Sequence, residues 1–161
     1  MIETILCNEG WRFPLRGQGG VGGAILLSIF LLSCKVEPEP LYYGKDACHS
    51  CKMTLADNKF GAELVTKKGK VYKFDDTNCM LKFLDSDQMQ GEEIAFKLFI
   101  DYSQPEKMIP AEHTFFLKSD QIHSPMNSGI AAFETEQAMK EHKKKWKAIY
   151  LGWGEVQTQF K

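Results

Sequence analysis

The stretch that most limits what this 161-residue chain can fold lies near its start. Val21 to Leu32, VGGAILLSIFLL, is almost wholly apolar and runs into Leu31-Leu32-Ser33-Cys34. The run is shorter than the roughly 20 residues that cross a bilayer as a helix. Arg12 and Arg16 precede it, so it reads as the apolar region of a signal peptide. Its last four residues follow the bacterial lipobox pattern: a branched apolar residue, one intervening position, a small residue, then the cysteine that receives lipid. Residues 1–33 are therefore expected to be removed, Cys34 to carry the lipid anchor, and only the remaining chain to fold. That places the protein in a bacterial cell envelope, tethered to a membrane and facing the periplasm. Lys35 after the lipid site, where Asp would retain a lipoprotein in the inner membrane, points to the outer membrane. A Gly-rich, partly polar stretch ahead of the apolar run fits a start codon assigned too early.

Cleavage leaves the charge balance unchanged, because Arg12 and Arg16 leave together with Glu3 and Glu9; the net charge stays at −1. Such a balance argues against nucleic acid as a partner. The one dense basic cluster, Lys143 to Lys145, reads as a solvated helix end. The cysteine count does change. Cys7 leaves with the leader and Cys34 is lipidated, so Cys48, Cys51 and Cys79 remain. Three thiols in an exported protein cannot all pair with one another, so at least one is free, intermolecular or bound to metal.

Residues 34–45 carry two prolines and alternating charge, which suits an extended tether before a domain over residues 46–161. Ala62 to Thr66 and Lys70 to Phe74 flank Lys67-Lys68-Gly69, a hairpin signal. Asp75 or Asp76 then supplies an N-cap for a helix over Thr77 to Leu84. A second unit repeats the pattern: strands at Ile94 to Ile100, His113 to Lys118 and Ile130 to Phe133, then a helix from Glu134 to Lys144. FDDTNCM (Phe74 to Met80) and FETEQAM (Phe133 to Met139) match Phe to Phe and Met to Met. The expected fold is α+β, built from two small similar ββα-type halves over about 46–90 and 91–161. The tail after Trp146 reads as a final strand or a packed arm.

The chemistry concentrates in DACHSCKM, Asp46 to Met53. A C-x-x-C spacing lets both sulfurs reach one ion or each other. A redox dithiol normally sits at a helix N-terminus after a buried strand, and no βαβ pattern surrounds this one. Structural zinc needs four ligands, and Cys79 with a histidine could complete the set only through folding. Haem attachment fails, since His49 lies between the cysteines. The third possibility weighs Met53: thiolate and thioether are soft donors that select monovalent copper. Cys51 and Met53 are two residues apart and share a side in an extended segment. A second thioether, Met126, sits in the loop Ser124-Pro125-Met126-Asn127, with His123 nearby as a possible imidazole. Met80, Met89, Met108 and Met139 read as core or filler, and His49, His113 and His142 as solvent-facing rather than ligating. Cys79, on the first turn of a capped helix, is either an activated thiol or a buried structural one.

D-x-C-x-x-C-x-M at Asp46 to Met53, A-x-L-V-T-K-x-G-K-V-Y-x-F-D-D-x-x-C-M at Ala62 to Met80 and Pro125-Met126 before Ala132-Phe133 together resemble the NosL family, accessory lipoproteins of nitrous oxide reductase. The resemblance covers about Asp46 to Glu141. It implies a periplasm-facing lipoprotein that binds Cu(I) and delivers it for maturation of the reductase copper centres. The implied partners are an ABC-type assembly complex and the apo reductase. It also implies a two-part α+β fold similar to the core of organomercurial lyase. Carried over by residue, the copper ligands are Cys51, Met53 and Met126; apart from the resemblance, the residues themselves offer Cys48, Cys79 and His123 as further candidates. Cys48 acts as a ligand, in transfer, or by capping Cys51 in a disulfide. The family often has Pro-Met-Gly where this chain has Pro125-Met126-Asn127. No enzymatic activity is expected. The alternatives are a periplasmic thiol-disulfide oxidoreductase using Cys48 and Cys51, and a zinc-binding surface lipoprotein.

Overall fold

The structure is a computed structural model and describes residues 36–159. The expected signal segment and the lipid site Cys34 lie outside the described residues. Among those described, no helix is long and apolar enough to cross a membrane.

β1 (Ala62–Thr66) and β2 (Val71–Phe74) form the expected hairpin, with Cα partners running from Ala62–Phe74 to Val65–Val71. The turn needs a left-handed residue and Gly69 supplies it at φ 79°. After Phe74 the extended residue Asp76 accepts from the Asn78 N–H and starts α1 (Thr77–Leu84). The helix turns Cys79, Met80, Leu81 and Phe83 inward. Its Phe83 ring meets Tyr72 and Phe74 of β2, with centroids 4.8 and 5.4 Å away.

β3 (Ile94–Ile100) and β4 (Met108–Pro110) follow. Both join the first sheet, whose order is β2-β1-β3-β4. A division of the chain near residue 90 therefore does not follow the sheets, because strand Ile94–Ile100 pairs back onto β1. The reason is visible in β1, which is buried at all five positions. A strand buried on both faces with one edge left open would present unpaired backbone groups to another chain, and β3 covers that edge.

β5 (Phe115–Lys118) and β6 (Ile130–Phe133) then build a second hairpin. α2 (Glu136–Trp146) packs on it as α1 packs on β1 and β2. β7 (Ile149–Leu151) adds to β5, giving the order β6-β5-β7, and a last helical turn, α3 (Trp153–Val156), closes the tail. Strand β5 begins two residues later than His113, which lies in a 3-10 turn over Ala111–His113. The two ββα units correspond closely. Each last strand ends in a fully buried Phe, 74 or 133. The residue two positions on, Asp76 or Thr135, caps, and the helix begins at the third. The mixed α+β fold with two small antiparallel sheets is thus the one expected.

The sheets meet at Phe99 of β3 and Phe116 of β5, whose rings stand edge to face at 4.9 Å. Tyr102 N–H also donates to Ala132 O at 2.8 Å. Lys143 to Lys145 are exposed at the C-terminal end of α2, where cations complement the helix dipole.

The segment before residue 46 is docked onto the domain. Leu41 is buried, Tyr43 Oη donates to Phe60 O at 2.8 Å, and the Glu39 N–H donates to Glu63 Oε1 at 3.0 Å. The Lys73 ammonium gathers Pro40 O at 2.9 Å and the Asp46 carboxylate at 2.9 Å. An apolar anchor and one cation thus convert what composition suggests is a tether into part of the fold. Glu63 lies fully buried in β1 with Oε2 lacking a hydrogen-bond partner. Burial pushes its pKa up to about 7. The folded state therefore holds this proton more tightly than the unfolded chain does. Stability contributed by the neutral side chain is present at low pH and lost as pH rises from the ordinary value through about 7. Glu63→Gln is expected to raise the urea midpoint relative to wild type by an amount that grows from pH 5 to pH 8; an equal effect at both would show that Glu63 does not titrate.

Candidate metal centre

Two segments converge on one point, and local backbone rules place each. Ala47 and Thr54 form an isolated antiparallel bridge that closes the cysteine loop. Inside it the Cys48 N–H donates to Met53 O at 2.7 Å and the Lys52 N–H to Cys48 O at 3.0 Å. So tight a loop needs one residue in the left-handed region, and Lys52 takes it at φ 66°. The His49 N–H donates to Lys73 O at 2.7 Å, fixing the loop to β2. The His49 ring packs edge-on against Tyr72 and Phe83 at 4.7 and 4.8 Å. This histidine positions the loop and is no ligand candidate.

The second segment is the turn from β2 into α1. Asp75 follows the last strand residue, and Cys79 lies in the first helical turn. Together the two segments bring Sγ of Cys48, Cys51 and Cys79 and a carboxylate oxygen of Asp75 all within 4.8 Å of one another. Cys48, Asp75 and Cys79 are buried; Cys51 is half-buried. All three cysteines are free. The Cys51 thiol donates to Asp75 Oδ2 at 3.4 Å, while Asp75 Oδ1 is buried without a partner.

The electrostatics single out Cys48. A hydrogen bond from the Cys79 thiol, helped by the N–H groups of Cys51 and Asp75, lowers its pKa to about 6 against the opposing effect of burial. Burial raises Cys51 to about 11, despite a hydrogen bond from the Met53 N–H. Cys79 is pushed up strongly, first because it donates to Cys48. A helix N-terminus ordinarily activates a thiol; here the first-turn Cys79 spends its proton on Cys48, so the activated sulfur is the one in the loop. The cluster can hold one thiolate readily, and a cation at its centre would take the protons of the others.

Met126 is brought to the same corner through its backbone. Asp76 Oδ2 accepts from Ser124 Oγ at 2.7 Å, from the Met126 N–H at 2.8 Å and from the Ser128 N–H at 3.3 Å. Asn78 Nδ2 donates to Met126 O at 2.7 Å. The loop carrying Pro125-Met126 thus sits on Asp76 and Asn78, which lie between Asp75 and Cys79 in the chain. Asn127 adopts φ 56°, a conformation Asn tolerates better than any residue but Gly, so the missing glycine after Pro-Met costs the turn little. Met126 is half-buried against the core that contains Cys48 and Cys79.

Met53 is 55% exposed on the loop, and His123 and His113 are exposed. His142 stacks among Phe133, Trp146 and Tyr102 in the second core. Met80, Met89 and Met139 are buried core residues. Asp75 and Asp76 are the site residues that sequence reasoning passed over: a helix needs one cap, and the second acid of F-D-D was the signal of another role.

A family model, NosL, matches residues 42–160. Among solved structures, the fold is similar to the crystal structure of the copper chaperone NosL from Shewanella denitrificans. The TM-score is 0.63 and the identity 19%, over 75% of this chain and 96% of that one. At that identity the likeness speaks for the fold. No curated protein matches the chain.

Two outcomes are expected. Asp76→Ala removes a helix cap and three hydrogen bonds to a buried carboxylate, and should cost about 3 kcal/mol or more in urea unfolding. In the metal-free chain with Cys7 removed and Cys34 blocked, thiolate ultraviolet absorbance should rise by one thiolate per chain with a midpoint near 6, the next appearing only toward about 11. A single step near the ordinary thiol value would mean that the sulfurs do not share protons.

Proposed function

The chain belongs to the NosL family, and from that premise we propose that it is a membrane-tethered Cu(I) metallochaperone rather than an enzyme. It takes copper through Cys51, Met53 and Met126. It passes the ion on toward the copper centres of nitrous oxide reductase, with an ABC-type assembly complex and the apo reductase as partners. Cys34 carries the anchor, and the domain faces the periplasm from the outer membrane. The observation that carries the proposal is the corner itself. One loop offers Cys51 and Met53, and the helix cap that neighbours the cysteine cluster also holds the Met126 loop. One thiolate with neutral thioethers is a soft set that favours monovalent copper and holds it reversibly.

The dithiol reading loses ground on physical grounds. Cys48 is fully buried, so exchange would begin at Cys51, whose thiol is pushed up to about 11, the reverse of what an attacking thiolate needs. The zinc reading gains one observation, since folding adds Cys79 and Asp75 to the C-x-x-C pair and completes four ligands. That reading requires zinc in unit stoichiometry and unfolding on chelation.

Under anaerobic competition with a Cu(I) chelator, Cys51→Ser should weaken binding by about 100-fold or more, because the anionic ligand is gone. Affinity of the wild type should fall as pH drops. Equal binding by Cys51→Ser and wild type would remove Cys51 from the site.

A further inference from the structure

The copper set of Cys51, Met53 and Met126 leaves two cysteines at the same corner without a role. Cys48 is 0% and Cys79 3% exposed, and both sulfurs lie within 4.8 Å of the Cys51 sulfur. We propose that Cys48, Cys51 and Cys79 form an inner three-thiolate seat for Cu(I), that Met53 and Met126 form an outer seat with the same Cys51, and that copper moves from inner to outer before it leaves. The inference rests on the copper reading above and adds to it a second ion position and an order of events.

Several independent features support the inner seat. A metal–thiolate bond of about 2.3 Å places three sulfurs in a trigonal plane about 4 Å apart, which the observed spacing reaches with small side-chain adjustments. The sulfurs already receive the hydrogen bonds that stabilise bound thiolates: the N–H groups of Cys51 and Asp75 on Cys48, and that of Met53 on Cys51. The buried Asp75 carboxylate belongs to the same cluster and leaves one oxygen unpartnered beside the sulfurs.

The order of events follows from access and from the donors. An acceptor protein cannot touch Cys48 or Cys79 without opening the core, whereas Met53 stands 55% exposed and Cys51 is half-buried between them. Along that line the ligands change from anionic thiolates to neutral thioethers, so the hold weakens toward the surface. Cys51 belongs to both seats, so the ion is never released to water. In the transfer the bonds from copper to Cys48 and Cys79 break and bonds to Met53 and Met126 form. Copper stays monovalent, and the freed Cys79 sulfur takes one proton from water and donates it in a hydrogen bond to Cys48, which stays a thiolate.

The test uses the purified full chain and Cu(I) itself, anaerobically, with a chromophoric chelator reporting both affinity and rate of transfer. Cys48→Ser/Cys79→Ser is expected to weaken binding by about 100-fold or more while keeping a 1:1 complex. Met53→Leu/Met126→Leu is expected to slow transfer by about tenfold or more, and to weaken affinity less than the cysteine pair does. X-ray absorption on the wild-type complex needs no variant to fold and should count three sulfurs at thiolate distance. Equal affinity in Cys48→Ser/Cys79→Ser and wild type, or a single short sulfur in the wild type, overturns the inner seat and leaves the copper chaperone standing. A wild type that ignores Cu(I) but holds Zn(II) at 1:1 overturns both.

Discussion

Asp76 presents one buried carboxylate to two stretches of chain that lie about fifty residues apart. One oxygen caps α1; the other takes the hydroxyl of Ser124 and the N–H groups of Met126 and Ser128. A carboxylate inside the protein must have its hydrogen-bonding capacity met or it destabilises the fold. Neither segment meets it alone. The cap and the methionine loop are therefore stable only together, and their joining brings the loop between β5 and β6 against the helix of the first ββα unit. Asn78 repeats the tie by donating to the Met126 carbonyl. This clamp sets the Met126 loop beside the cysteine cluster, with Asp75 and Cys79 on either side of the residues that make it.

The cysteine loop meets that corner through a different physics. Its closure comes from backbone hydrogen bonds around a left-handed Lys52, and its position comes from His49 wedged between Tyr72 and Phe83. Once two buried sulfurs, a half-buried one and a buried carboxylate crowd together, they cannot all ionise, and one proton-sharing network results. Cys48 becomes the acidic sulfur because Cys79 donates to it. The same crowding that makes the empty cluster a compromise makes it receptive to a cation, which would replace the shared protons.

Much of the fold was legible because short-range rules decided it. The hairpin around Gly69, helix α1 from Thr77 to Leu84 and strand β6 from Ile130 to Phe133 fall where turn chemistry, capping and periodicity put them. The echo of FDDTNCM in FETEQAM corresponds to two equivalent strand-cap-helix junctions. Strand β4 carried too few residues to register, and the pairing of β3 with β1 left no local trace, because edge coverage is settled between strands thirty residues apart. The docking of Leu41 and Glu39 was hidden for the same reason: proline and charge describe a tether, and only Glu63 and Lys73 on the sheet show where it binds.

By itself, the sequence determined the chemical inventory. It holds three thiols from Cys48 onward, soft methionines beside Cys51 and after Pro125, and a family signature that joins them. It also determined the local elements that carry these residues, since caps, glycine turns and apolar spacing act within a few positions. Only the tertiary structure decided which of those side chains meet. It joined Cys79 and Asp75 to the C-x-x-C pair, left Met53 exposed while burying Cys48, and gave Asp76 the loop of Met126 to hold. Such choices follow from burial and hydrogen-bond satisfaction, which depend on segments distant in the chain arriving at one place, and no window of sequence contains both ends of such a contact.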